Sequence, residues 1–454
     1  MNKKFRFYFR FLVALVSKYF PYLILGAILA ITGFFIFIRI IQYLPQFRYT
    51  KRIAVIGKYT LSELPSSVLS KISIGLTTVD EWQMPVSGIA KSWEIGNSGK
   101  TYTFTLNPQI DWQDKTAIIS QDIRYQFRDA NISYPDDSRI VFELKDPFSP
   151  LPALLSRPVV KVINPGLFKP TRILGAGEYA VTSFKLNGGI LESLTLKPVN
   201  TQNRLPVLLY HFYPSTNLAL TAFKLGLVNS VENLWETTEL SQWPNLSTSS
   251  QVLYDRYVGL FMNTTSPVFS GQSGKNLRTA IAYAIDKTRF ENRSAGPISP
   301  NNWAYNPDIK KFIQDATRSA QLLEKVEKIP EKIILHTVPA YLEIAEQIQK
   351  DLQAVKLQTE IQVTQEIPED FEALVIAQAL PLDPDQYNFW HSTQDNTNLT
   401  NLNNPRIDKL LEDGRKTYDQ AARKKIYQDF QKYLVEEVPA VFLFYPQTYT
   451  ISKN

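Results

Sequence analysis

The sequence predicts an α/β protein of two lobes behind one N-terminal transmembrane helix, and three observations carry that expectation. The chain has 454 residues, more than a single hydrophobic core usually serves, so two or more bodies are expected. Short runs of period-2 alternation are interleaved along it with stretches of helical period. One such run is a strand at 332–337 (KIILHT), an amphipathic helix over 341–355 and a second strand at 359–363 (TEIQV). That order is a βαβ unit, which requires parallel pairing and a right-handed crossover.

The N-terminal segment comes first. Residues 19–38, bounded by Tyr19 and Ile38, carry no charge and are long enough as a helix to cross a hydrocarbon core of about 30 Å. Lys18 and Arg39 bracket the run, with Tyr19, Tyr22 and Tyr43 near its ends, where interfacial aromatics belong. Lys3, Lys4, Arg6, Arg10 and Lys18 precede it, while Arg39, Arg48, Lys51 and Arg52 follow closely, a modest bias toward a cytoplasmic N-terminus. A cleavable signal peptide normally has a shorter apolar region and a small-x-small site, whereas residues 42–45 read Gln-Tyr-Leu-Pro. An uncleaved signal anchor over 1–51 is therefore expected: single-pass in the cell membrane, with residues 52–454 extracytoplasmic.

These nine cations all precede the first acidic residue, Glu63, and account for the net charge of +6. The remainder is slightly acidic and shows no basic patch interleaved with aromatics, so nucleic acid is not an expected partner. Zero cysteines exclude disulfides, thiolate metal sites, a Cys nucleophile and a lipid-modified Cys.

A first lobe is expected over 52–255. It opens on the strand RIAVIG at 52–57. Residues 87–106, SGIAKSWEIGNSGKTYTFTL, begin as a helix start packing Ala90 against Trp93 and turn tightly at Asn97, Ser98 and Gly99. Tyr102, Phe104 and Leu106 then alternate with three threonines, as in a half-buried strand. Ser120 offers a capping hydroxyl and Asp122 a charge suited to a first helical turn. A strand at 139–144, an apolar helix start at 150–155, a Gly-rich turn at 175–177 and strands at 191–197 and 208–213 follow. Ser215 or Thr216 then caps a helix over 217–225, which Gly226 closes.

The pattern changes at Tyr257, where a second lobe is expected over 256–436. It holds a strand into a turn at 258–269, a helix over 276–285, the βαβ unit and a buried strand at 371–378. A late helix places Ala422, Ile426, Phe430 and Leu434 on one face. VPAVFLFY (438–445) is the final strand, and a return of residues 437–454 to the first lobe is what the family likeness below implies.

Collinear segments give these elements a family likeness. GAGEYAVTSF (175–184), YHFYPSTNLALTAFKLGLV (210–228), FMNTTSPVF (261–269), NLRTAIAYAID (276–286), GPISPNNWAYNP (296–307), LPLDPDQYNFWHS (380–392) and NPRIDKLLEDGRK (404–416) stand in the order found in one family. Over roughly 52–450 the chain resembles the family 5 extracellular solute-binding proteins, the dipeptide, oligopeptide and nickel receptors of ABC importers. The resemblance implies a two-lobed, type II periplasmic-binding-protein-like fold in a compact variant, because the insert of the first lobe looks trimmed between Phe127 and Arg139. It implies no cofactor, a monomer, a small peptide or similar small polar ligand, and delivery to ABC permease subunits.

The family's lobes close over a cleft at two strand crossings, here expected near 252–263 and 438–445. Cleft candidates are Tyr257 and Asn263 at the first crossing and Gln378 and Leu380 at a strand end. Tyr387, Trp390 and His391 follow, and Tyr445 lies at the return. Many members carry an aspartate for the peptide's amino group near the position of Leu380, and a tryptophan just upstream, near Gln378. Leucine cannot neutralise an ammonium, so free-peptide recognition of the usual kind is in question. Lys356 and Asn229 stand where Gly and Asp are frequent in the family.

Asp383, Asp385 and Asp395 have alternating spacings that could suit Ca²⁺, but the glycine and distal Glu of a calcium loop are missing, and a solvated turn is expected. His211, His336 and His391 are far apart, so no metal site is expected; His391 alone falls in the cleft loop. There is no P-loop, Gly-x-Ser-x-Gly elbow or His-Glu-x-x-His helix, and an enzyme ranks last. The second-ranked function is a receptor-like sensor or interaction protein at the cell surface that has lost transport.

Overall fold

A computed structural model describes residues 3–41, 49–163, 171–200, 204–237 and 239–453. The chain divides into two units, Met1–Tyr49 and Thr50–Asn454. The first holds a helix, Lys3–Ile41, with Pro21 inside it. A proline within a helix removes one hydrogen bond and crowds the preceding turn, and the stretches Phe5–Tyr22 and Ile24–Phe35 are bent by 45°. Among the described residues no single helix is long and apolar enough to cross a membrane, although this bent pair passes together on length and composition. The expected span over 19–38 straddles the bend. Tyr43 and residues 42–45 lie outside the described residues.

In the second unit, strand Thr50–Ile56 sits at the centre of a seven-stranded sheet. The order is Tyr179–Asn187, Ile190–Pro198, Val207–Tyr213, Thr50–Ile56, Ser230–Leu234, Gln447–Lys453, Leu246–Val252. The central strand runs parallel to both its neighbours. Its alternation serves two faces. Ile53 and Val55 pack with Val68 and Ile72 of helix Ser66–Ile72, while Ala54 packs with Ala219 and Phe223 of helix Thr216–Lys224.

A separate antiparallel sheet runs Ala90–Gly96, Thr101–Leu106, Arg139–Leu144, Ala130–Asp136. Tyr102, Phe104 and Phe142 are fully buried in its core. Two expectations need correcting here. Ala90–Gly96 is a strand, not a helix start, because Trp93 pairs with Phe104 and Ile95 with Tyr102 across a turn in which Asn97, Ser98 and Gly99 all have positive φ. No helix follows Ser120. Its hydroxyl donates to the Asp136 carbonyl at 2.6 Å, and Asp122 accepts from the Trp112 indole at 2.9 Å and Lys161 at 2.6 Å. Tertiary partners thus take the groups that would have capped it, leaving one 3₁₀ turn, Ser120–Asp122. The stretch between Phe127 and Arg139 holds the strand Ala130–Asp136.

The third large sheet has five strands: Thr359–Val363, Ile333–Thr337, Ala373–Ala379, Arg256–Met262, Ala440–Phe444. Its βαβ unit pairs in parallel around helix Leu342–Ala354. Helix Gln420–Glu437 buries Arg423, Tyr427, Phe430 and Leu434, one residue round from the expected face, and Ala422 is exposed. Residues 438–445 do not close the chain's strand set. After Pro446 the strand Gln447–Lys453 re-enters the seven-stranded sheet. The chain therefore passes between the two sheets at 253–255 and again at 445–446, and the two passages are tied by Leu253 N–H donating to the Pro446 carbonyl at 2.8 Å.

Candidate functional site

The loop leaving strand Ala373–Ala379 carries the Asp-Pro-Asp stretch, and two helices bring an arginine to each carboxylate. Arg423, from helix Gln420–Glu437, donates to both Asp383 oxygens at 2.8 and 2.5 Å. The two side chains are only 6% and 4% exposed. The same guanidinium donates to the Gly414 carbonyl at 2.8 Å. Arg415, at the end of helix Pro405–Lys416, donates twice to Asp385 at 2.9 and 2.7 Å and lies 4.0 Å from the Tyr387 ring centre. The stretch is therefore not a solvated turn. Both carboxylates are buried and already paired, which removes them as cation ligands. Among the described residues no group of acids and histidines could hold a metal ion.

The electrostatics follow from burial and pairing. Burial pushes the Asp385 carboxyl above its ordinary value, with Arg415 pulling it back. For Arg423, burial alone would ease proton loss, but the Asp383 charge and hydrogen bonds together with Tyr427 outweigh it and hold the guanidinium firmly protonated. The Tyr102 phenol is pushed up to about 12 by burial, against the pull of Arg423. Tyr102 belongs to the four-stranded sheet, so this pair of charges sits where that sheet meets the five-stranded half.

Further contacts define the seam. Trp303 N–H donates to the Trp82 carbonyl at 2.9 Å. The Asn302 amide donates to Gln83 at 3.0 Å and to the Leu382 carbonyl at 2.9 Å. On the other flank the Ser149 amide and hydroxyl both donate to the Arg415 carbonyl at 2.9 Å. Beside these contacts lies a cavity of about 630 Å³, lined by Phe127, Phe148, Leu151 and Leu154 from one side and Tyr387, Arg415 and Lys416 from the other. A smaller one of about 170 Å³ is lined by Trp93, Tyr102, Trp303, Tyr418 and Arg423. A third, of about 300 Å³, adjoins the second passage at Phe444, Tyr445 and Gln447.

Of the residues expected at a cleft, Tyr387 lines the cavity of about 630 Å³ and Tyr445 the one at the passage. Leu380 is half-buried beside the first passage, its N–H donating to the Asp255 carbonyl at 2.6 Å. His391 stacks on Tyr387 with ring centres 4.1 Å apart, and its Nδ1 accepts from Thr393 N–H at 3.2 Å. Gln378 stands opposite Tyr257 across a strand pair. The others lie inside. Tyr257 is 0% exposed and its hydroxyl, without a hydrogen-bond partner, is held well above its ordinary pKa by burial. Trp390 is 1% exposed, between Phe261 and Phe442 in the apolar core. Asn263 braces a turn, donating to the Phe371 carbonyl and accepting from Thr265 N–H, both at 3.1 Å.

As site residues, Arg415, Arg423, Tyr102, Phe148 and Trp303 escaped the sequence reading. One signal was available: Arg423, Tyr427, Phe430 and Leu434 recur at helical spacing, and a cation within such a stripe needs a buried partner.

Residues 127–401 match the family described as bacterial extracellular solute-binding proteins, family 5 Middle. The probable D,D-dipeptide-binding periplasmic protein DdpA of Escherichia coli (strain K12) is 22% identical over 438 residues, covering 83% of this chain and 82% of that one. The oligopeptide-binding protein AppA of Bacillus subtilis (strain 168) is 20% identical over 460 residues, covering 86% and 84%. The nickel ABC transporter structure from Bacillus halodurans superposes with a TM-score of 0.75 at 16% identity, covering 89% of this chain and 95% of that one. NikZ from Campylobacter jejuni, in complex with Ni(L-His), gives 0.67 at 18% identity, covering 89% and 94%. At these identities the structural likeness establishes a shared fold.

Proposed function

Because the chain belongs to the family 5 bacterial extracellular solute-binding proteins, we propose that it captures a peptide or similar small polar solute between two lobes and passes it to an ABC transporter permease. It is a binding protein rather than an enzyme, as its relatives are. One observation carries the capture reading. Two sheet-based halves, connected at the paired passages 253–255 and 445–446, meet at a seam that holds a cavity of about 630 Å³. A hinge of two neighbouring strands permits closure with little rearrangement inside either half. The lobes are then 52–255 and 256–445, the second keeping the strand Ala440–Phe444 that the sequence reading assigned to the return, and Gln447–Lys453 returns to the first.

Residues 1–51 serve in this reading as the membrane anchor, N-terminus inside, with residues 52–454 outside the cytoplasm. Tethering raises the receptor's effective concentration at its permease without any new contact. The ligand chemistry is constrained by what the seam lacks. Leu380 brings no carboxylate, and Asp383 and Asp385 are committed to arginines. The usual ammonium contact is therefore missing at that position, while the cavity of about 630 Å³ is itself lined by both signs, Asp129, Asp146 and Glu412 beside Arg128, Lys145, Arg415 and Lys416, which suits a solute carrying charges of both signs.

Native mass spectrometry of the full-length chain, followed by calorimetric titration with whatever co-purifies, tests the proposal. A small molecule bound at one per chain is expected. A chain that carries none and binds neither peptides nor a nickel–histidine complex would overturn it. The absence of an acid at Leu380 also supports the sensor reading, in which ligand binds yet a cell supplied with the matching permease shows no uptake.

A further inference from the structure

The end of the seven-stranded sheet that lies away from the two passages carries a surface of unusual composition. Strand pairing fixes which end this is. Val252 pairs with Gln447 next to the passages, whereas Leu246 pairs with Lys453 at the opposite end. Ser230 pairs with both Ser452 and Ile53, so the start of Thr50–Ile56 lies at that opposite end too.

Helix Thr216–Lys224 finishes there in a tight double-bonded turn. Gly226 N–H donates to the Phe223 carbonyl at 3.0 Å and Leu227 N–H to the Ala222 carbonyl at 2.9 Å, with Gly226 at φ +76°. In this motif the residue after the glycine usually packs back on the helix. Here Leu227 is instead 55% exposed and Leu225 71%. Trp243, 49% exposed, is held on the same face of the sheet by Leu240, which is buried in one apolar cluster with Phe223 and Val228. Lys224 and Lys453 stand at this end, the Lys453 ammonium over the Phe223 ring, whereas Lys51 projects from the other face of the sheet, near Glu232. No carboxylate occurs in residues 49–52, 224–229, 243–246 or 452–453.

We propose that this end, with Leu225, Leu227 and Trp243 set beside Lys224 and Lys453, rests on a bilayer surface bearing anionic headgroups. Exposed leucines beside a tryptophan, flanked by two lysines on a face whose segments carry no acid, match the apolar and charged layers of such a surface. Tether length agrees. Residues 42–49 separate helix Lys3–Ile41 from the first strand, and eight residues span at most about 28 Å. The passages and the seam then face away from the bilayer, open to solute. This inference rests on the anchor reading of residues 1–51.

The full-length chain suits a direct test because it has no native cysteine. Leu227→Cys and, at the other end of the sheet, exposed Lys58→Cys are each labelled with an environment-insensitive fluorophore. The labelled chains are reconstituted in phosphatidylcholine–phosphatidylglycerol vesicles whose acyl chains carry bromine. The Leu227 label is expected to lose about half its emission while the Lys58 label keeps its own. Lys224→Glu with Lys453→Glu, or vesicles of phosphatidylcholine alone, should restore most of the loss. A chain that fails to float with the vesicles overturns the anchor and the docking together. One that floats with both labels equally bright, or equally quenched, overturns the docking alone, the bright case pointing to a protein occupant.

Discussion

The seam and the far end of the seven-stranded sheet break the ordinary rules of burial in opposite ways. The seam buries charges, Asp383 with Arg423 and Asp385 with Arg415, and satisfies each with two hydrogen bonds. The far end exposes Leu225, Leu227 and Trp243, which a solitary soluble domain would cover. A buried polar group and an exposed apolar cluster are the two informative exceptions to hydrophobic sorting. At the seam the exception fixes how two halves of one chain meet; at the far end it prepares a surface for something outside the chain. Stability should therefore respond strongly to substitution at the first and hardly at all at the second.

The largest effect is expected at the deeper ion pair. Arg423→Ala leaves the Asp383 carboxylate buried without a partner and should cost about 3–5 kcal/mol in a denaturant titration. Adding Asp383→Asn should recover much of that, since the penalty belongs to the orphaned charge. A loss of under about 1 kcal/mol for Arg423→Ala would place the pair in water and erase the contrast between the regions. Trp390→Ala belongs in the same class at about 3–5 kcal/mol, because the indole is enclosed by Phe261 and Phe442. If it instead weakened ligand uptake with an unchanged melting curve, Trp390 would belong to the cleft.

A smaller and pH-dependent effect is expected at Asp385, whose carboxyl burial raises and Arg415 lowers. With a raised value, the folded state holds this proton more tightly than the unfolded chain does. Its contribution is then present at low pH and is lost as pH climbs through the window above the ordinary carboxylate value. Arg415→Gln removes the opposing charge and widens that window upward. The variant's deficit against the native chain should therefore be greatest near neutral pH and shrink as pH falls to about 5. A deficit that is flat with pH would mean that Asp385 reaches water.

How much of this could be read in the chain depended on whether the determinants were local. The strand Arg139–Leu144, the parallel βαβ unit and the Gly226 stop follow from alternation, helical period and one glycine, all contained within a few residues. The elements misread around Ala90 and Ser120 were decided by partners elsewhere, Phe104 for Trp93 and Asp136 for Ser120. The seam was illegible for the same reason at longer range, since Arg423 lies 40 residues from Asp383 and nothing local marks one as the other's partner. Tyr387 was recoverable because it sits in the Asp-Pro-Asp loop itself; Phe148, across the same cavity, was not.

The weakest effects sharpen the comparison most. Gly226→Ala meets only the Lys453 ammonium, 3.7 Å from the added carbon, so its cost of about 1–2 kcal/mol should come from the left-handed backbone alone. Leu227→Ser and Trp243→Ser remove side chains that are 55% and 49% exposed, and each should change stability by less than about 0.5 kcal/mol. Were these two costly, the far end would be a core edge that packs against the chain itself, and its exposure would carry no meaning for a partner. If stability holds while their loss frees this end from a charged vesicle, folding cannot account for these residues, and contact with a surface beyond the chain can.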